Sequence, residues 1–141
     1  MGTAADWKEN LIQAALEARK MAYAPYSHYC VGAALLTKSG EVYQGGNIEN
    51  ASYGATNCAE RTAIFKAVSE GHRHFMAIAI AGGLAGQEPA DYAYPCGICR
   101  QVLEEFADGD LVVLVAKDKE DYREYKLDEL LPCGFGGGSI Q

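Results

Sequence analysis

Basic charge is scarce in this chain, with 12 lysines and arginines against 19 aspartates and glutamates and a formal charge of -7. An acidic surface of this kind repels long polyanions, so nucleic acid is not an expected partner. Long hydrophobic runs are missing too. The two longest, at 76–81 and 111–116, fall far short of the roughly 18–20 apolar residues that cross a bilayer, and no membrane segment is expected. There is no apolar N-terminal stretch of signal-peptide type, and the five cysteines form an odd set. Both features argue against a secreted disulfide framework and for reduced thiols in the cytoplasm. The sequence has no internal repeat and no linker, and its one low-complexity tract is the glycine-rich tail at 134–138, which composition predicts to be flexible. With 49% hydrophobic and 22% charged residues over 141 positions, residues 1–141 are expected to form a single globular domain.

Local patterns supply the elements. Leu11, Ala14, Ala15, Ala18 and Ala22 recur at helical spacing until Pro25, and Thr3 with Asp6 resembles a capping box at the start. Residues 31–37 and 41–44 read as strands joined by Lys38-Ser39-Gly40, a hairpin that needs Gly40 in the left-handed conformation. After a loop, Asn57 is placed to cap a helix over 58–69 that stops at Gly71, with Ala59, Ala63 and Ala67 as a slim packing face. Two apolar runs without alternation, 76–81 and 111–116, flank a helical stretch at 98–107, the pattern of a parallel crossover. A fifth strand at 122–126 and a helical turn at 127–131 stopped by Pro132 complete the chain. The expected fold is α/β, a three-layer α/β/α sandwich around a mixed five-stranded sheet.

Three cysteines fall where helices begin: Cys58 after Asn57, and Cys96 with Cys99 in a CxxC pair. Positive helix ends lower thiol pKa values, and the CxxC spacing lets two sulfurs hold one metal ion, with Cys58 as a third if the helix starts meet. Three sulfurs leave zinc one open position, as catalytic sites do, whereas a structural site is closed by four protein ligands. Cys133 is the obvious fourth ligand on the structural alternative, with Cys30, His28, His72 and His74 behind it. Glu60, two residues after Cys58, is the candidate to handle the protons of a bound water. Positions two apart in a regular helix point to different sides, so that role requires irregular backbone at the helix start. His72 and His74 are expected in an exposed turn after Gly71, and Glu104, Glu105, Asp108 and Asp110 on a solvated face.

Cys58-Ala59-Glu60-Arg61 followed by Pro95-Cys96-Gly97-Ile98-Cys99-Arg100 resembles the cysteine variant of the zinc deaminase signature. With Pro25-Tyr26-Ser27, Val31-Gly32-Ala33-Ala34 and Asn47-Ile48-Glu49-Asn50-Ala51, the chain resembles the small homotetrameric, zinc-dependent cytidine deaminases from its first helix to about Phe135. The resemblance implies one Zn2+ per subunit on Cys58, Cys96 and Cys99, and Glu60 as the catalytic proton carrier. Asn47 and Glu49 would bind the ribose 3'-hydroxyl, and the backbone around Cys58 and Ala59 would help read the base. Phe135 would reach the pyrimidine of a neighbouring subunit, and Tyr53 would lie where another protomer meets it. Arg61 would donate to ligand sulfurs and so offset the net negative charge of zinc with three thiolates; Arg100 is a second candidate for that support. The implied activity is hydrolytic deamination of cytidine and 2'-deoxycytidine to the uridine products and ammonia, a step of pyrimidine salvage. A cytoplasmic homotetramer with shared active sites would carry it out on a small nucleoside.

Several positions depart from the family pattern. Tyr29 stands where a phenylalanine usually contacts the base, adding a hydroxyl that needs a partner if buried. Gly46 replaces a common cysteine, a change read as neutral, and Ile98 replaces the usual alanine. The segment 82–94 is several residues longer than in typical members and runs up to Pro95-Cys96. This segment and Tyr29 motivate a second reading, deamination of a modified cytosine nucleoside such as a nucleoside antibiotic. A third, from a different class, is a non-enzymatic zinc module closed by Cys133 and serving a protein partner.

Overall fold

A computed structural model describes residues 6–107 and 109–140; Thr3 and Asp108 lie outside the described residues. Helix α1 spans Asp6–Ala18 and continues as a 3-10 turn, Arg19–Met21. Strands β1 (Tyr29–Thr37) and β2 (Val42–Gly46) follow, then helix α2 (Ala59–Ser69) and strand β3 (Phe75–Leu84). Helix α3 (Gly97–Phe106), strands β4 (Val112–Ala116) and β5 (Tyr122–Lys126), and the short helix α4 (Leu127–Leu130) complete the set. The sheet order is β2-β1-β3-β4-β5. Only β3 and β4, joined through α3, pair in parallel; the other three pairs are antiparallel. The mixed five-stranded sheet is therefore as expected. Gly40 makes the β1–β2 turn at φ 94°, a conformation that costs a residue with a Cβ.

Alternate residues of the three inner strands feed two separate cores. Ala34 of β1, Ala77 and Ala79 of β3, and Leu114 and Ala116 of β4 meet Leu11, Ile12 and Ala15 of α1. Their neighbours Leu35, Ile78, Ile80, Val113 and Val115 pack on the other face against Ala59, Ala63 and Ile64 of α2 and Leu103 of α3. Coverage on both faces is why β3 and β4 read as unbroken apolar runs. Each fully buried leucine, isoleucine or valine here contributes about 1.5–3 kcal/mol. Small residues let α2 sit close to the sheet. A Cβ on Gly45 of β2 would lie 2.5 Å from the Ala63 nitrogen and 2.6 Å from the Ala59 oxygen, so this glycine sets the height of the helix that carries Glu60.

Three expectations need correction. β3 runs on to Leu84 because Gly82 and Gly83 pair with Val31 and Cys30 of β1, although two glycines in sequence read as loop. Gly46 is not a neutral position, since a Cβ there would press on Ala22 Cα at 3.0 Å. The N-cap of α2 is Cys58, not Asn57. The Asn57 backbone is taken by reciprocal hydrogen bonds with Ile48, and its side-chain amide donates to Thr62 Oγ1 at 3.1 Å.

Candidate active site

Helices α2 and α3 each have a cysteine at the N-cap. Cys58 precedes α2 with extended backbone, φ -75° and ψ 155°. Cys96 precedes α3 in the same way, and its sulfur accepts the Cys99 amide at 3.5 Å. The helix starts meet: Cys58 Sγ and Cys96 Sγ are 3.8 Å apart, and all three sulfurs lie within 4.8 Å of one another. Tetrahedral zinc with bonds of about 2.3 Å holds its sulfurs about 3.8 Å apart, so the donor set fits that ion. Among the described residues no histidine, carboxylate or further cysteine joins the group. Cys133 lies exposed in a left-handed turn at φ 56°, and this corrects the idea of a site closed by four cysteines.

Electrostatics favour thiolate at Cys58. The hydrogen bond from Cys99, then those from Arg61 and Cys96, bring its pKa down to about 5. Cys99 moves the other way, upward, because it donates to Cys58 and is buried. Arg61 Nη2 donates to Cys58 Sγ at 3.2 Å, and the same contact raises the guanidinium's own pKa. Arg61 thus reaches one of the three sulfurs. Arg100 does not share that contact. Its guanidinium donates to the carbonyls of Pro95 (2.8 Å) and Leu130 (2.7 Å), tying α3 to the segment before it and to α4.

Glu60 faces the same cavity as Cys58. Cys58 stands outside the helix in extended backbone and Glu60 is its second residue, which is the irregular start that residues two apart require. Glu60 is 4% exposed. Burial, with the Cys58 charge adding to it, pushes its carboxyl up to about 7. A carboxyl that titrates near neutrality can both take and give a proton.

The cavity has a volume of about 370 Å³. Of the candidate residues, Tyr29, Asn47, Cys58, Ala59, Glu60 and Cys96 line it. Val31, Thr56, Asn57, Ile80, Ala93 and Tyr94 also line it and were not among the candidates; for Tyr94, its place directly before Pro95-Cys96 was the available signal. The Asn47 amide, just past the end of β2, is anchored to the neighbouring strand β1, accepting from the Val31 nitrogen and donating to the Tyr29 oxygen, each at 2.9 Å. Tyr29 is 38% exposed, and the edge of its ring with the added hydroxyl lies against Gly82, where a Cβ would stand 3.0 Å from Tyr29 Cε2 and 3.1 Å from its oxygen. Glu49 and Tyr53 border an adjoining cavity with Tyr26 and Ser27, and Thr56 belongs to both. The Ser27 hydroxyl, then the Ser27 and Tyr26 amides, lower the Glu49 pKa. Phe135 is 59% exposed and lies outside both cavities; its carbonyl accepts from Gln101 at 2.9 Å, which anchors the glycine-rich tail to α3. The histidines stay apart from the sulfurs. His28 occupies a left-handed turn, and His72 pairs with Glu41 at 3.0 Å. A larger cavity of about 700 Å³, bounded by Arg19, Cys30, Gly86 and Lys119, contains none of the three ligand candidates.

Known proteins point the same way. The family described as "Cytidine and deoxycytidylate deaminase zinc-binding region" matches residues 5–115. A cytidine deaminase of Halalkalibacterium halodurans is 50% identical over 128 residues, covering 91% of this chain and 93% of that protein. A blasticidin-S deaminase of Bacillus cereus is 32% identical over 129 residues, covering 89% of each. The crystal structure of cytidine deaminase from Burkholderia pseudomallei superposes with a TM-score of 0.81 at 48% identity, covering 89% of this chain and 97% of that one.

Proposed function

The chain belongs to the cytidine and deoxycytidylate deaminase family, and from that membership we propose that it converts cytidine and 2'-deoxycytidine to uridine and 2'-deoxyuridine with release of ammonia. It is a zinc-dependent hydrolytic deaminase. The observation that carries the substrate chemistry is a buried carboxyl, Glu60, bordering one cavity with sulfurs spaced for tetrahedral zinc.

In this reading Cys58, Cys96 and Cys99 hold the metal and Arg61 tempers the charge of the sulfurs. When bound, zinc supplies Lewis acidity that makes water nucleophilic near neutral pH. Glu60 takes one proton from the water that attacks C4 and passes it to ring N3. It then carries the second proton of that water to the amino group, which leaves as ammonia while C4 becomes a carbonyl. Asn47 and Glu49 bind the ribose hydroxyls; their anchoring by Val31, Tyr29, Ser27 and Tyr26 supports that role, because a prealigned group loses less freedom on binding. The Cys58–Ala59 backbone and the Tyr29 ring address the base. The acidic balance of the chain favours free nucleosides over phosphorylated substrates.

The working form is a cytoplasmic homotetramer of single-domain chains, 1–141, that shares its active sites and serves pyrimidine salvage. Tyr53, 77% exposed, and Phe135 are aromatic side chains left in solvent by the single chain, and contact with a neighbouring copy would bury both. The five unpaired thiols suit a reducing compartment. Deamination of a modified nucleoside is the second reading, favoured by the blasticidin-S relative but opposed by the higher identity to cytidine deaminases. Turnover of cytidine beside a panel of modified cytosine nucleosides separates the two. Glu60→Gln tests the mechanism: the variant is expected to bind zinc and fold, and to lose about 10²–10⁴-fold in kcat. Near-normal turnover would remove Glu60 from its role.

A further inference from the structure

The segment between β3 and α3 is pinned to the rest of the chain at both of its ends. Near β3, the Ala85 nitrogen donates to the His28 oxygen at 2.8 Å and Arg19 donates to the Leu84 oxygen at 3.2 Å. Pro89 is buried and crosses Gly83 so closely that a Cβ on that glycine would stand 3.0 Å from the Pro89 Cα. Toward α3, the segment is fastened to edge strand β5 and the turn before it. Arg123 lies 4.4 Å and Lys117 5.0 Å from the Tyr92 ring centroid, and the Tyr92 hydroxyl donates to Asp121. Two residues on, the Tyr94 hydroxyl meets the Tyr125 hydroxyl at 2.9 Å and accepts from Arg123 Nη1 at 3.3 Å, and the two tyrosine rings lie 5.7 Å apart.

Tyr94 is also part of the wall of the cavity that holds Glu60 and Cys96. This residue therefore belongs to the cavity wall while its hydroxyl is held by β5, a strand that contributes no residue to that wall. We propose that Tyr94 is a specificity-determining residue, and that Tyr125 and Arg123 are positioning residues that hold it against the cytosine ring and exclude ring substituents. This rests on the nucleoside reading given above. The longer segment is then a fixed wall rather than a flap or a place for a partner.

A wall held in place discriminates through size. One methyl group refused or admitted by an apolar pocket changes selectivity by about 10–200-fold. A residue that only stabilises the fold would weaken all ligands alike, so the ratio of affinities is the informative quantity. The experiment measures calorimetric binding of cytidine, 5-methylcytidine and N4-methylcytidine to the zinc-loaded Glu60→Gln protein, in which the nucleosides stay intact, and to the same protein carrying in addition Tyr94→Ala, Tyr94→Phe, Tyr125→Phe or Arg123→Gln. Thermal melting and zinc content are recorded for each protein. Tyr94→Ala is expected to shift the affinity ratio of at least one methylated nucleoside to cytidine by about tenfold or more in favour of the methylated one. Tyr94→Phe, Tyr125→Phe and Arg123→Gln should each shift the same ratio by about threefold, and Tyr94→Phe with Tyr125→Phe should shift it no further than either alone, because both cut one tether. Ratios unchanged in Tyr94→Ala would overturn the specificity role, and additive effects of Tyr94→Phe and Tyr125→Phe would overturn the tether. Wild-type turnover of cytidine is assayed alongside. Its absence would count against the nucleoside deaminase reading, while the binding ratios would still decide the role of Tyr94.

Discussion

Gly45→Ala adds one methyl group at a position that touches no substrate, and the structure sets the size of the effect. The new Cβ would sit 2.5 Å from the Ala63 nitrogen, about 0.9 Å inside the 3.4 Å at which ordinary contact begins. The obstacle is helix backbone on both sides, Ala63 N and Ala59 O, so no side-chain rotation relieves it. Either α2 lifts from the sheet by most of an ångström or β2 bends away. Overpacking of this kind costs about 1–3 kcal/mol, which corresponds to a drop of about 3–10 °C in Tm for a chain of this length. α2 carries Glu60, and Cys58 caps it, so the shift passes to the reacting groups, where a displacement of about 1 Å costs up to about 10²-fold in rate. Thermal melting and steady-state deamination kinetics on the same preparation check both effects. A Gly45→Ala protein that melts and turns over like the wild type would show that α2 has room the packing denies, and would refute this account of how Glu60 is held.

Other perturbations reach the site directly. Arg61→Met removes the 3.2 Å hydrogen bond to Cys58 Sγ; the Cys58 thiol should then titrate above its value of about 5, read by thiolate absorbance in the metal-free protein, and zinc affinity should fall about 10–100-fold in chelator competition. Ser27→Ala removes the first cause of the low Glu49 pKa. The depressed pKa means the ionised form is favoured in the fold, a contribution present above the ordinary value of 4.5 and lost as pH falls through the lower folded value. The carboxyl-carbon NMR titration of Glu49 should therefore move to higher pH in Ser27→Ala, and an unmoved titration would contradict the assigned contact. Cys133→Ser should retain zinc and activity, because Cys133 lies outside the three-sulfur group; loss of zinc in this variant would revive the structural-site alternative.

The elements were legible wherever pattern and packing agree. The runs at 76–81 and 111–116 announce buried strands, and the structure covers β3 and β4 with helices on both faces. Gly82 and Gly83 escaped because strand pairing to β1, a distant partner, overrides their weak local preference. Asn57 has the better side chain for an N-cap, yet its backbone is held by Ile48 and the cap falls to Cys58. That one-residue displacement also settles how Cys58 and Glu60 share a cavity, a matter of backbone angles that no residue pattern states. The grouping of the three sulfurs was legible because CxxC is local and Cys58 opens a helix. Arg100 sits beside Cys99 in sequence but spends its guanidinium on Pro95 and Leu130. The contacts of Tyr94 with Tyr125 and Arg123 join residues about thirty positions apart, beyond the reach of a local motif.

Zinc content and cytidine turnover, measured together on the same purified protein, test the central claim most directly. The account predicts one zinc per chain, release of one ammonia for each uridine formed, and loss of both zinc and turnover when Cys96 is replaced by serine. Protein that holds zinc in full but leaves cytidine unchanged, or that deaminates cytidine equally well after the metal is stripped, would contradict it.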